Sequence, residues 1–189
     1  MERAVAAAGG WAKVGAIAVG RGPGSFVGIR IGLATARGLA ASTGLRATGV
    51  CTLDALGRGL SESSVAGTPR LAVLDASRGE VFAALYADSG ERLLEPFVAL
   101  PEVLVARLAE LPAPPRAAGS GAVRFRDELA SRGVEVPDDD DPVHRVAARH
   151  VCALAWTAGG EGGGALAPIY LRVPDAERWR ERDDEPTSE

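Results

Sequence analysis

Cysteine, histidine and aromatic side chains are scarce in this chain of 189 residues. The two cysteines, Cys51 and Cys152, stand far apart and outside any CxxC or Cys/His spacing, which argues against a disulfide framework or a zinc cluster. We expect both to be buried free thiols. The two histidines, His144 and His150, are too far apart for the i, i+4 pair of a zinc site, and we expect both at the surface. The sequence therefore predicts no metal centre.

Long apolar runs and an excess of positive charge are also missing. No apolar run approaches the about 20 residues that span a bilayer, and no long apolar core follows Glu2 and Arg3, as it would in a signal peptide. The sequence thus predicts a cytoplasmic protein. A formal net charge of -4 argues against autonomous nucleic-acid binding, which needs a basic surface. Hydrophobic residues at 47% and charged residues at 24% are typical of a globular chain.

Short apolar runs alternate with helical stretches in the first third of the chain. Val14–Val19 and Arg46–Val50 are typical of buried strands, and the sequence between them predicts a helix over Phe26–Thr43. Ser25 suits the N-cap of that helix, and Gly44 suits its left-handed C-cap. This alternation predicts the α/β class with a partly parallel sheet.

A second α/β unit follows the polar stretch Ser61–Pro69, which we interpret as a linker between lobes. Further predicted elements are a hairpin of Leu71–Asp75 with Val81–Ala87, a helix from Pro101 to Leu111, a strand over Ala117–Ala122, and helices over Val123–Ser131 and Val143–Ala158. We divide the chain into an incomplete first lobe at residues 1–66, a second lobe at 67–172, and a charged tail at 173–189 that we expect to be disordered.

The stretch GRGPGSFVGIRIGL, from Gly20 to Leu33, is the most informative in the chain. A strand leads into a glycine–proline–glycine turn and a helix starts directly after it, so the first helical amides could hold an anion. However, the stretch has neither the Lys-Ser/Thr pair of a Walker loop nor a dinucleotide-binding GxGxxG fingerprint. Ser25 also lies outside a GxSxG nucleophile elbow, and the chain has no HExxH, so proteolysis is disfavoured. We favour a tight structural turn.

The predicted helix after this turn has an unusual face of small residues. They recur at every fourth position and form a ridge that a second helix could approach closely: Gly28, Gly32, Ala36 and Ala40. Apolar and basic side chains lie beside the ridge: Phe26, Ile29, Arg30, Leu33 and Arg37. Two alternatives stay open for the ridge, which is covered either by the chain's own sheet or by a partner subunit.

The segment RGPGSFVGIRIG, from Arg21 to Gly32, resembles the signature of the TsaB (YeaZ) family, bacterial proteins of tRNA threonylcarbamoyladenosine biosynthesis. The resemblance continues in the family's order through four weaker landmarks: Gly49-Val50, Leu53–Leu56, Leu74–Phe82 and Pro168–Arg172. Together these landmarks extend over most of the chain. The first is highly specific and carries most of the weight.

The resemblance implies a two-lobe RNase-H-like fold, related to the actin-like and sugar-kinase-like ATPases, without a metal, a cofactor or catalytic residues of its own. It implies a scaffold that binds the catalytic subunit TsaD in a heterodimer. With the ATPase TsaE, that complex transfers threonylcarbamoyl to the adenosine beside the anticodon, and tRNA is met only through the complex. The helix after the GPGSF turn takes part in the family's interface, so we predict these interface residues: Phe26, Gly28, Ile29, Arg30, Gly32, Leu33, Ala36, Arg37 and Ala40.

Two departures from the family's pattern are visible. Val27 stands where the family usually has threonine, which removes a hydroxyl at the helix start. Family members typically open with a strand carrying Ile-Asp-Thr-Ser and a hairpin, whereas this chain resembles them only from the first helix onward. We expect the resulting incomplete sheet to expose an edge, lower the stability and promote self-association.

Two rival functions remain beside the partner-subunit hypothesis. Asp75 at a strand end and Gly119-Ser120-Gly121 could belong to a weak nucleotide site, since actin-like ATPases hold a metal–nucleotide complex with acidic residues at strand ends. A role of Asp75 as a turn residue is favoured, because the strand that should carry the leading aspartate is not found. A homodimer through the small-residue ridge is the other possibility, because one patch can pair with itself about a two-fold axis.

Overall fold

The computed structural model describes residues 2–157 and 166–172. Its helices are α1 (Glu2–Ala7), α2 (Phe26–Thr43), α3 (Thr52–Leu60), α4 (Pro101–Leu108), α5 (Ser120–Arg124), α6 (Arg126–Ala130) and α7 (Ala148–Thr157). Its strands are β1 (Ala16–Gly20), β2 (Arg46–Val50), β3 (Arg70–Asp75), β4 (Val81–Tyr86), β5 (Arg92–Ala99) and β6 (Arg116–Ala118). Within the described ranges, no helix combines the length and apolarity needed to cross a membrane. The predicted disordered tail lies outside the described residues.

The strands form two sheets. β1 and β2 pair in parallel from Ala16 opposite Arg46 to Gly20 opposite Val50. The second sheet has the order β5-β4-β3-β6, with antiparallel pairs β3–β4 and β4–β5 and a parallel pair β3–β6. The predicted hairpin and the predicted partly parallel α/β arrangement are therefore confirmed.

Helix α2 begins and ends where the sequence predicts. The Ser25 hydroxyl accepts a hydrogen bond from the Gly28 amide at 3.3 Å, and Gly44 has a φ of 72° with its N–H on the Ala40 carbonyl. Both cap positions thus satisfy backbone groups that a helix end leaves without partners. The helix packs on β1, the strand that precedes it in the chain.

Helix α3 lies against the second sheet and supplies much of the core. Its Leu53, Leu56 and Leu60 are almost fully buried against the small side chains of that face: Ala72, Ala84 and Ala118. Because alternate residues of a strand point to opposite faces, Leu71 and Val73 of β3 face the other way. There they meet the residues that α4 and α6 bury: Leu104, Leu108 and Leu129.

Helices on each side of the predicted lobe boundary, between residues 66 and 67, pack on strands from the other side. α3 precedes the boundary but packs on β3 and β4, and α7 follows it but packs on β1 and β2. The division into lobes stays a prediction, and the two sheets share helices across it. The Ser61–Pro69 stretch joins α3 to β3 without separating their cores.

In the second unit, one predicted strand is shorter than expected and one strand was not predicted. The predicted strand over Ala117–Ala122 is wrong beyond Ala118, because Gly119 takes a φ of 116° and α5 begins at Ser120. Strand β5 was not predicted, and it contains Pro96, which lacks an amide hydrogen for a sheet ladder. The strand forms nevertheless, because it lies at the edge of the sheet and needs partners on one side only.

The expectations for histidine and cysteine also need correction. The predicted helix over Val143–Ala158 begins only at Ala148, and His144 lies in a short 3₁₀ helix before it. Both histidines are buried and not at the surface, with exposed fractions of 9% for His144 and 3% for His150. Burial lowers the pKa of His150 below its ordinary value. Cys51 is buried as predicted, whereas Cys152 is exposed.

The His144 ring is used for structure. Its Nδ1 accepts a hydrogen bond from the Gly119 amide at 3.1 Å, and its Nε2 lies 3.1 Å from the Asp138 carbonyl and 3.3 Å from the Pro137 carbonyl. These partners assign the proton to Nε2, because a carbonyl can only accept. The ring therefore ties the loop before α7 to the turn after β6.

Candidate functional site

The GPGSF turn after β1 is held by the rest of the chain. The Arg21 amide donates to the Val50 carbonyl at 2.9 Å, and the Gly22 amide donates to the Thr52 hydroxyl at 3.2 Å. In return, the Thr52 amide donates to the Gly22 carbonyl at 2.7 Å and the Ile169 amide to the Arg21 carbonyl at 2.8 Å. The amides of Arg21 and Gly22, which are the donors that an anion would need, are thus already occupied, which favours the tight structural turn predicted from the sequence.

Gly22 shows why the turn requires glycine. Its φ is 105°, and an added Cβ would lie 2.9 Å from both the Ile169 carbonyl oxygen and the Ile29 Cδ1 atom. The turn, the first buried residue of α2 and the 166–172 segment therefore meet at this point without space for a side chain. The start of α2 is fixed in place by this contact.

The structure divides the predicted interface residues of α2 into three groups by exposure. Three of them are buried within the chain: Ile29, Leu33 and Ala36. Gly32 and Ala40 are half-buried, and four remain exposed: Phe26, Gly28, Arg30 and Arg37. At Gly32 an added Cβ would lie 3.6 Å from Val19 Cγ2 of β1. The centre of the small-residue ridge therefore faces the chain's own sheet, which was one of the two alternatives left open by the sequence.

A different face of α2 is exposed and apolar, and sequence reasoning missed it. Val27 is 63% exposed and Ile31 is 62% exposed, and Ala34 is exposed beside them. The spacing i, i+4, i+7 places these three residues, which we call the apolar stripe, on one side of the helix. The same spacing is visible in the sequence, but the prediction was based on the small-residue ridge of the adjacent face.

Phe26 and Arg30 form a cluster with Tyr170 beside the apolar stripe. The Arg30 guanidinium carbon lies 3.7 Å from the centroid of the Phe26 ring, which is a cation–π contact. Arg30 Nε also donates to the Tyr170 hydroxyl at 3.0 Å, and the Phe26 and Tyr170 rings are 5.6 Å apart. Phe26 is 50% exposed, so the cluster offers a pre-arranged aromatic edge at the surface.

The segment from Leu166 to Arg172 lies along α2 and reaches the second sheet. Arg37 donates to the Leu166 carbonyl at 2.7 Å at one end, and Arg172 pairs with Glu80 at the other. Between these contacts, a cleft of about 570 Å³ opens between the start of α2 and the β3–β4 turn. Aromatic side chains contribute to its walls: Phe26, Phe82 and Tyr170.

Asp75, the candidate nucleotide ligand, is engaged in local bonds at the edge of this cleft. One carboxylate oxygen accepts from the Ser77 amide at 2.8 Å, and the other accepts from Arg124 at 2.7 Å. The Asp75 amide donates to the Ser120 hydroxyl at 3.1 Å. The structure thus supports the role of Asp75 as a turn residue. In the described parts of the chain, no group of His, Cys, Asp and Glu side chains is placed to hold a metal ion.

The placement of Gly32 changes what its substitution should do. We predict that Gly32→Leu destabilises the fold by about 1 to 3 kcal/mol, because an added Cβ would already be in contact with Val19 Cγ2 and the larger leucine side chain would overpack there. Urea unfolding followed by circular dichroism measures this effect. Gly38→Leu is the control, since no atom lies within 4 Å of a Cβ added at Gly38. Equal stability of the two variants would show that Gly32 faces outward after all.

Known proteins resemble this chain in sequence over most of its length. Residues 1–133 match the family model described as TsaD, tRNA N6-adenosine threonylcarbamoyltransferase. The chain is 32% identical over 172 residues to the tRNA threonylcarbamoyladenosine biosynthesis protein TsaB of Escherichia coli, covering 84% of this chain and 71% of that protein. The chain belongs to the TsaB family. It is also 35% identical over 165 residues to an uncharacterized protein of Mycobacterium tuberculosis, covering 87% of this chain and 67% of that one.

Solved structures of TsaB-family proteins confirm the predicted fold class. YeaZ from Pseudomonas aeruginosa superimposes with a TM-score of 0.71 at 28% identity, covering 90% of this chain and 82% of that chain. A second Pseudomonas aeruginosa structure, of a protein with similarity to peptidase YEAZ, gives a TM-score of 0.71 at 30% identity and covers 80% of that chain. The chain therefore has the α/β architecture expected for a TsaB protein, a fold related to that of the actin-like ATPases.

Proposed function

We propose that this TsaB-family chain is a partner subunit that binds and supports a TsaD-type catalytic subunit in tRNA threonylcarbamoyladenosine biosynthesis. The observation that carries the proposal is the apolar stripe of α2, directly after the GPGSF turn. Val27 and Ile31 lie on a capped helix, and both side chains are more than half exposed. Exposed apolar surface next to charged and aromatic groups is typical of a protein–protein contact.

The neighbourhood of the stripe suits a helix from the partner. Gly28, Ala34 and Gly38 are exposed small residues on α2, so another backbone can come close. Arg30 and Phe26, already stacked on each other, supply the residue types that dominate interface energies. The buried group of predicted residues would then act indirectly, because Ile29 and Leu33 hold α2 against its sheet.

The same reasoning supports a role without catalysis by this chain. The carboxylate of Asp75 is paired with Arg124, and the glycines after β6 pack against β3. These contacts disfavour the weak nucleotide site considered from the sequence. In this proposal TsaD supplies the transferase chemistry, a TsaE-type ATPase joins the larger cytoplasmic complex, and tRNA is met only there. A homodimer through the same stripe is the expected competitor of TsaD.

The proposal is tested by reconstitution with the TsaD protein of the same organism. We expect the two chains to co-elute in size-exclusion chromatography. We also expect this chain to restore threonylcarbamoyladenosine in the tRNA of a strain depleted of its own TsaB, as measured by mass spectrometry of tRNA nucleosides. Failure of both measurements with a folded chain would overturn the proposal. Modification that proceeds equally well without this chain would do so as well.

A further inference from the structure

A second pocket lies away from α2, between the end of α3 and the turn that joins β4 to β5. Its volume is about 320 Å³. Its polar lining includes side chains from three separate elements and the turn: Arg58, Ser61, Arg70, Tyr86 and Ser89. No residue of α2 lines this pocket, so it is independent of the proposed TsaD surface.

Arg70 is the unusual group in this pocket. It is only 4% exposed, and in the part of the chain that the structure describes it forms no ion pair. Its guanidinium donates to the carbonyls of Ala87 at 2.8 Å and Asp88 at 2.9 Å, while its Nε has no acceptor. Burial lowers the pKa of Arg70, and the nearby charge of Asp88 only partly opposes this effect. A buried cation ordinarily has a charged partner.

The two carboxylates of the pocket are committed elsewhere. Asp54 accepts from the Tyr86 hydroxyl at 2.7 Å and is bound by two nitrogens of Arg92, with distances of 3.0 and 2.5 Å. The Asp88 carboxylate accepts from the Gly67 amide at 2.8 Å. Neither acid therefore pairs directly with Arg70.

Arg58 brings a second uncommitted guanidinium to the pocket. Its side chain is exposed and forms no hydrogen bond or ion pair with any described residue. The charge of Arg58 acts on the nearby carboxylate of Glu62, but that carboxylate already forms an ion pair with Arg149 at 2.8 Å. The pocket thus has two guanidinium groups that no carboxylate pairs with directly in the described chain, and the Ser89 hydroxyl lies among the lining groups.

We propose that this pocket binds a phosphate-type oxyanion, either free phosphate or the terminal phosphate of a small monoester. Arg58 and Arg70 would hold its oxygens from two sides, and the Ser89 hydroxyl, which only accepts within the chain, would donate a further hydrogen bond. The planar fork of arginine matches the oxygens of a phosphate group. The volume of about 320 Å³ is at the small end for ligand pockets, so it suits a phosphate group with little attached.

Isothermal titration of the full chain with inorganic phosphate, at constant ionic strength, tests this site. We expect saturable binding that Arg58→Gln weakens by at least about tenfold, because a charge-assisted hydrogen bond is lost. Arg132→Gln is the control, since it removes the same charge from an exposed position outside the pocket. Absence of saturation, or equal weakening by both substitutions, would overturn the site.

The position of the anion and its source are tested in the same protein. In NMR spectra, phosphate should shift the amide signals of Ser89 and Gly90 in the wild type and much less in the Arg58→Gln variant. Tighter binding of ribose 5-phosphate than of inorganic phosphate would identify a monoester as the ligand, and the reverse order would identify free phosphate. Shifts that spare both amides would show that the oxyanion binds elsewhere and would refute the proposal.

Discussion

Replacement of Gly119 by alanine is expected to unfold the chain. An added Cβ would lie 2.1 Å from the Val73 carbonyl oxygen and 2.7 Å from Leu56 Cδ2, and the φ of Gly119 is 116°. Val73 belongs to β3, an inner strand of the second sheet, and pairs with Ala83 of β4, so its backbone cannot move without disturbing the sheet. Overpacking and backbone strain together should cost about 4 kcal/mol or more, which approaches the whole stability of a small protein. Urea unfolding monitored by circular dichroism measures the loss.

The matched control is Gly67→Ala. Gly67 also has a positive φ, of 82°, but no atom lies within 4 Å of a Cβ added there. Only the left-handed backbone is then penalised, and we expect a loss of about 1 kcal/mol. If Gly119→Ala were no worse than this control, the tight contact between the turn after β6 and strand β3 would be disproved.

Local chemical signals made α2 predictable from the sequence. A serine hydroxyl at the N-cap and a glycine at the C-cap act within a few residues, so Ser25 and Gly44 identify the helix ends without knowledge of the rest of the fold. The hairpin of β3 and β4 was predictable for the same reason, because a glycine-containing turn lies between two apolar runs. The order of strands in the two sheets was not predicted, because it depends on pairing between residues far apart in the sequence.

The exposed side of α2 could not be identified from the sequence. Apolar residues lie on both faces of this helix, since Leu33 and Ala36 are buried whereas Val27 and Ile31 are exposed. When apolar residues occur on both faces, hydrophobic periodicity does not identify the buried side of a helix. The contact of Gly32 with Val19 decides the orientation, and it depends on how the helix folds back onto β1.

Long-range contacts explain the other errors. His144 is buried because its ring joins the loop at Asp138 to the Gly119 amide, and nothing within the sequence near His144 indicates those partners. Arg70 gave no signal either, because an arginine before an apolar run is ordinary. Its burial follows from the turn between β4 and β5, whose carbonyls of Ala87 and Asp88 close over it.

Replacement of Ile31 by aspartate should abolish binding of TsaD while leaving the fold intact. Ile31 is 62% exposed on the free chain and lies at the centre of the apolar stripe, so the substitution removes no core contact. In the proposed complex, the carboxylate would be buried in an apolar interface without a partner, which is strongly unfavourable. We expect the dissociation constant for TsaD to rise at least about 100-fold, or about 2.7 kcal/mol, in a titration calorimetry experiment.

Val65→Asp provides the comparison for this variant. Val65 is an apolar residue 75% exposed in the stretch between α3 and β3, so its replacement adds the same charge away from α2. It should bind TsaD like the wild type. Wild-type affinity of both variants would place the TsaD surface outside the apolar stripe, whereas equal loss in both would reflect net charge alone. Because the Ile31 side chain lies at the surface, an unfolded Ile31→Asp variant would contradict the orientation of α2 in the structure.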